Sequence, residues 1–182
     1  YETYTPIQLS QYVTTIANGG ERIRPHLLKE VHKSSSTEEI GPLEKKIEKE
    51  VLNTVDTKKE YMERVQEGFK AVLNSPGGYG VGYMDKSMKP AGKTGTSQSF
   101  IDTDGNGIID TETITSSFIG YAPYDNPEIT IDTRIAYGYS SHNAAFAARN
   151  IISYYYGEQT IDDLQKTKAS GVNGSSSNSV TD

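Results

Sequence analysis

The sequence contains no cysteine, no tryptophan and only three histidines, and no apolar run approaches the roughly 18 residues needed to cross a bilayer. Lack of cysteine excludes disulfides, thiolate metal sites and a cysteine nucleophile, and it leaves the compartment open. His26, His32 and His142 have no ligand spacing, so each reads as a surface or packing residue. Cations are short as well: 18 Lys and Arg stand against 24 Asp and Glu, a net charge of −6. No face collects enough of them to neutralise phosphates, which argues against a nucleic-acid partner. The chain opens at Tyr1 with neither Met nor an apolar leader, so the start reads as cut. Any membrane anchor is then expected in sequence outside these 182 residues.

What is present suits one modest core. Thr5-Pro6-Ile7-Gln8 carries a capping box with Pro at the first helical position, and Leu9, Val13, Ile16 and Ala17 follow helical spacing. Residues 24–32 read as a short edge strand, and the polar stretch Lys33 to Glu50 as a surface excursion. A second box, Thr57-x-x-Glu60, is expected to open a helix with Tyr61, Val65, Phe69, Val72 and Leu73 on one side. Residues 88–100, 115–122 and 128–139 then read as strands, the last two joined by a Pro123 to Pro127 turn. A helix follows from Asn143 to Tyr156, with Ser141 or Asn143 as its cap. This order predicts an α+β fold, an antiparallel sheet flanked by helices. The domain is expected over residues 1–160. Residues 161–182 form a polar tail, disordered at least from 170, because Ser, Asn and Gly bury too little apolar area to offset ordering entropy.

Lys93-Thr94-Gly95-Thr96 lies inside the first long strand. Lys-Thr-Gly is one of three motifs of serine acyl transfer in penicillin-binding proteins and β-lactamases. The other two, Ser-x-x-Lys and an upstream Ser-x-Asn, are missing; Ser141-His142-Asn143 lies downstream, on the wrong side. Strand alternation puts Thr94 and Thr96 on one face, about 6 to 7 Å apart, where two hydroxyls can donate to one carboxylate. Lys93 adds a fixed positive charge, and Gly95 leaves the strand edge open to backbone pairing with a peptide. A P-loop reading of Gly92-Lys93-Thr94 fails, since Ser87 stands where the first glycine is needed and Pro90 interrupts the loop.

The flanks widen the match. Tyr4 to Tyr12, Ile16-Ala17-Asn18-Gly19-Gly20, Arg24-Pro25-His26, Gly92 to Thr96 and Phe118 to Pro123 with Asn126-Pro127 follow one another in the order seen in class B penicillin-binding proteins, and the chain resembles that family from about residue 1 to 157. The resemblance implies the C-terminal part of a peptidoglycan D,D-transpeptidase domain, which cross-links stem peptides ending in D-Ala-D-Ala and is acylated by β-lactams. It implies that Lys93 and Thr96 act in catalysis and that Thr94, Gly95 and Thr96 bind substrate, the Thr96 N–H serving as an oxyanion donor. It also implies an extracytoplasmic location at the bacterial membrane, no cofactor for catalysis, and the rest of the transpeptidase domain as a partner; this piece alone is expected to be inactive. Self-association is expected where the sheet lacks cover.

One loop stands apart. Asp102, Asp104, Asn106, Gly107 and Asp110 match the spacing of a calcium loop, but Thr113 replaces the bidentate Glu and the flanks are strands. A structural Ca2+ site, and with it a calcium-stabilised binding module without enzymatic activity, is one reading. A hairpin tip rich in Asx-turns is the other. A β-lactam sensor domain sharing the Lys-Thr-Gly strand is a third.

Overall fold

The computed structural model describes residues 4–35 and 39–166. Helix α1 (Pro6–Ala17) begins as its sequence dictates: Thr5 and Gln8 form the reciprocal capping box, with the Thr5 N–H donating to Gln8 Oε1 at 2.8 Å. Replacing Thr5 by alanine is expected to cost about 1 kcal/mol, measurable as a lower denaturant midpoint at unchanged slope.

Beyond α1 the chain runs out and back as a narrow ribbon. Strand β1 (Glu21–Ile23) pairs antiparallel with β4 (Val51–Thr54), and β2 (Glu30–His32) with β3 (Leu43–Lys46). Bonds from Arg24 N–H to the Glu50 carbonyl and from Ile47 N–H to the Lys29 carbonyl join the two pairs. The polar stretch expected to be an excursion thus supplies strand β3 and leads into β4. Helix α2 (Lys59–Asn74) starts at Lys58, which makes no side-chain cap, so the Thr57 box does not form. The Thr57 N–H instead closes a turn on the Val55 carbonyl. Leu73 is fully buried, whereas Tyr61 and Val65 are exposed and line an apolar hollow of about 290 Å³ with Tyr12, Ile16 and Val55.

After a short 3-10 turn (Lys86–Met88) comes the sheet that organises the molecule: β5 (Ala91–Ile101), β6 (Thr111–Ala122) and β7 (Ile129–Ile135), all antiparallel in the order β5-β6-β7. On one face Ala91 and Tyr121 pack against Val13, Ile16 and Ala17 of α1. On the other, Phe118, Ala122 and Ile131 meet Ala144, Ala145, Ala148 and Ile152 of α3 (Ser141–Tyr155), together with Leu73, Met84 and Met88. The α+β expectation holds. Gly92 and Gly120 oppose each other in register beside the Phe118 ring; a Cβ at Gly92 would lie 2.3 Å from the ring and one at Gly120 2.8 Å, so only glycine lets the ring lie there.

Ser140, not Ser141 or Asn143, caps α3; the Asn143 side chain bonds the Gly138 carbonyl at 2.7 Å instead. Deeper in, the buried Ser116 Oγ accepts the Ala144 N–H at 3.0 Å and ties this helix to the sheet. A short helix α4 (Ile161–Lys166) occupies the first residues assigned to the tail, and the expected disorder from 170 lies outside the described residues.

Candidate active site

Strand β5 carries Lys93 to Thr96 and pairs only with β6 among the described residues, so its other backbone edge is free. Lys93 is exposed, and its Nζ donates to the Thr94 carbonyl at 2.6 Å, holding the cation against the strand that bears it. Thr94 and Thr96 share a face, as alternation requires, but not an environment. Thr94 is 4% exposed, on the α3 side with its register partner Phe118; Thr96 is exposed opposite Ser116. A ligand at the free edge therefore meets the Thr96 hydroxyl openly, whereas Thr94 is covered. Gly95 keeps its backbone open: a Cβ there would meet nothing closer than Ser117 Cβ at 3.7 Å.

Gly95 and Thr96 also form one wall of a large hollow at the sheet. It holds about 890 Å³ and is lined along β5 from Gly95 to Phe100, across β6 by Thr115 and Ser117, and by Arg134 and Tyr4. A peptide paired along the edge of β5 would turn every second side group toward this hollow.

The strand Ile129-Thr-Ile-Asp-Thr-Arg-Ile135 places Thr130, Asp132 and Arg134 on the α1 side of the sheet. Sequence reasoning missed this polar face, although a polar residue at every second position (Thr130, Asp132, Arg134) of an Ile-rich strand was its signal. The Asp132 side chain is 1% exposed, and neither carboxylate oxygen has a hydrogen-bond partner among the described residues. Burial pushes its carboxyl above the ordinary range, and the Arg134 guanidinium, Nε 4.0 Å from Oδ1, pulls partly back. A carboxyl raised on folding contributes stability only while protonated, and that contribution is lost as pH rises through its folded value. Asp132→Asn is therefore expected to raise Tm relative to the parent protein at about pH 7 and to leave it unchanged near pH 3. Paired thermal melts at the two pH values check this.

Asp102 to Asp110 caps the β5–β6 hairpin. Asp102 accepts the N–H groups of Gly105 and Gly107 at 2.7 and 2.8 Å, and Asp104 accepts from Asn106. These bonds hold the Asp102 carboxyl below its ordinary range. Among the described residues no group of three or more His, Cys, Asp or Glu is gathered to hold a metal ion. Asp102 and Asp104 thus turn carboxylate oxygens to the loop's own backbone N–H groups.

A model of the penicillin binding protein transpeptidase domain matches residues 2–153. The chain belongs to that family. It is 41% identical over 170 residues to penicillin-binding protein 2A of Bacillus subtilis, covering 93% of this chain and 23% of the relative. It is 30% identical over 167 residues to the peptidoglycan D,D-transpeptidase MrdA of Haemophilus influenzae, covering 87% and 25%. The fold superposes on penicillin-binding protein 2B of Streptococcus pneumoniae with a TM-score of 0.67 at 27% identity, over 87% of this chain and 25% of that one. The transpeptidase-domain chain spans about a quarter of the length of these relatives. The family thus stands as the resemblance to class B penicillin-binding proteins implied.

Proposed function

We propose that this chain forms the substrate-edge part of a D,D-transpeptidase that joins peptidoglycan stem peptides by serine acyl transfer and is acylated by β-lactams. The observation that carries the reading is the free edge of β5 with an exposed cation and hydroxyl, Lys93 and Thr96, beside a peptide-sized hollow. The donor peptide adds to this edge by backbone pairing; Thr96 offers its hydroxyl to the terminal carboxylate from the α3 face, and Lys93 adds its charge at the same edge from the α1 face. Thr94 sits beside them as a second hydroxyl at the covered face. A serine outside these 182 residues attacks the D-Ala-D-Ala carbonyl; D-alanine leaves, and the acyl group passes to an amine of another stem. The Thr96 N–H is one oxyanion donor, and the nucleophile's own N–H is the other. Lys93 adds positive charge where the nucleophile's proton moves.

No helix among the described residues is long and apolar enough to cross a membrane. We place the site at the extracytoplasmic face, where peptidoglycan is assembled, with the anchor in other sequence. Fluorescent penicillin tests the reading: the intact protein takes a covalent label that survives denaturation, and the 182-residue piece, lacking a Ser-x-x-Lys, takes none. An intact protein that stays unlabelled overturns it.

A further inference from the structure

The hollow beside β5 contains one cation with no role in the transfer chemistry. Arg134 lines it from β7, and none of its N–H groups has a hydrogen-bond acceptor among the described residues. Arg134, Ser117 and Gly95 form a single register row across the sheet. Adjacent strands lie about 4.8 Å apart, so the row leads some 10 Å from β7 to the free edge of β5. Its other two members are the small Ser117 and Gly95, which leave this face of the sheet open between Arg134 and that edge.

Behind Arg134 stands Asp132, buried and without a hydrogen-bond partner. Helix α1, which covers this face, contains no charged residue, so Arg134 is the near cation, and Lys93 sits two strands away in the Asp132 row. At 4.0 Å the carboxylate attracts the guanidinium without taking up its donors. The result is an arginine fixed from one side and open on the other, the arrangement that receives a planar carboxylate with two parallel N–H bonds.

We propose that Arg134, positioned by Asp132, reads an acidic side group on the acyl-donor peptide upstream of the bond that is cleaved. This rests on the transpeptidase reading, in which the terminal carboxylate lies at Thr96 and the preceding residues run along Ser97 to Phe100. That stretch is the length of β5 lining the hollow into which Arg134 projects. Thr96 and Lys93 take the terminal carboxylate; Arg134 takes a second one.

The test compares two donor peptides ending in D-Ala-D-Ala that differ only in a carboxylate or a carboxamide on an upstream residue. With intact protein, kcat/KM favours the carboxylate donor by about tenfold or more, the size of one or two charge-assisted hydrogen bonds. In Arg134→Gln the ratio falls to about one, and Arg134→Lys, with its point charge, keeps part of it. Asp132→Asn lowers the ratio to an intermediate value because it acts through Arg134, a change that a merely structural role would not produce. Should Arg134→Gln fail to fold, the parent protein decides: equal rates for the two donors overturn the inference while penicillin labelling leaves the transpeptidase reading standing. No acylation by either donor or by penicillin overturns both.

Discussion

Phe118→Ala is expected to destabilise the domain by about 3–5 kcal/mol, the range for removing a fully buried phenylalanine ring. Phe118 is 1% exposed and belongs to the cluster that joins β6 to α3 and to Leu73, Met84 and Met88. Two further consequences put the effect at the upper end of that range. The ring lies against Gly92 and Gly120, and neither glycine has a side chain to fill the space it would leave. Because Gly92 immediately precedes Lys93, slackness there reaches the strand that presents the site. For a domain of this size the shift in Tm is on the order of 10 °C. Thermal melting of the intact variant checks it, and Phe118→Leu, which keeps most of the volume, lies well short of the alanine variant.

Lys93→Ala has the largest expected effect on activity. Acylation of the intact protein by penicillin should slow by about 10²–10⁴, the usual contribution of a positioned proton-transfer or charged group. The side chain is exposed and its Nζ bonds only the carbonyl of its own neighbour, so its loss leaves the core untouched. Unchanged melting with slowed acylation, followed by stopped-flow with a fluorescent β-lactam, is the expected pair of results. Lys93→Arg should recover little, because a planar fork does not occupy the position of a compact ammonium. An alanine variant acylated at the parent rate removes Lys93 from the chemistry.

The long, strongly patterned elements were legible in the sequence. Thr5 and Gln8 form the capping box that their spacing announces, and the three strands of the sheet fall where Ile, Thr, Phe and Tyr concentrate. The ribbon was not legible. Leu43 to Lys46 is exposed at every position, and a strand with two wet faces carries no alternation to read. The Thr57 box failed because its requirements are met equally well by a turn, in which the Thr57 N–H bonds Val55. On β5, the strand placement of Lys93 and Thr96 and the shared face of Thr94 and Thr96 were legible from alternation. The burial of Thr94 did not, since it depends on what α3 and Phe118 bring to that face. Asp132 and Arg134 are neighbours of the site only through register, and register is a property of paired strands that no single segment shows.

The free edge of β5 has a consequence for solubility. Unpaired among the described residues on its outer edge, and with no proline and Lys93 as the one charge from Ala91 to Ile101, this strand forms a template that does not distinguish an added peptide from a strand of a neighbouring molecule. Lys93 opposes fibrous stacking whatever its part in the proposed transfer, because like charges on stacked copies repel. Short peptide mimics that occupy this edge should act as inhibitors and as stabilisers against precipitation alike.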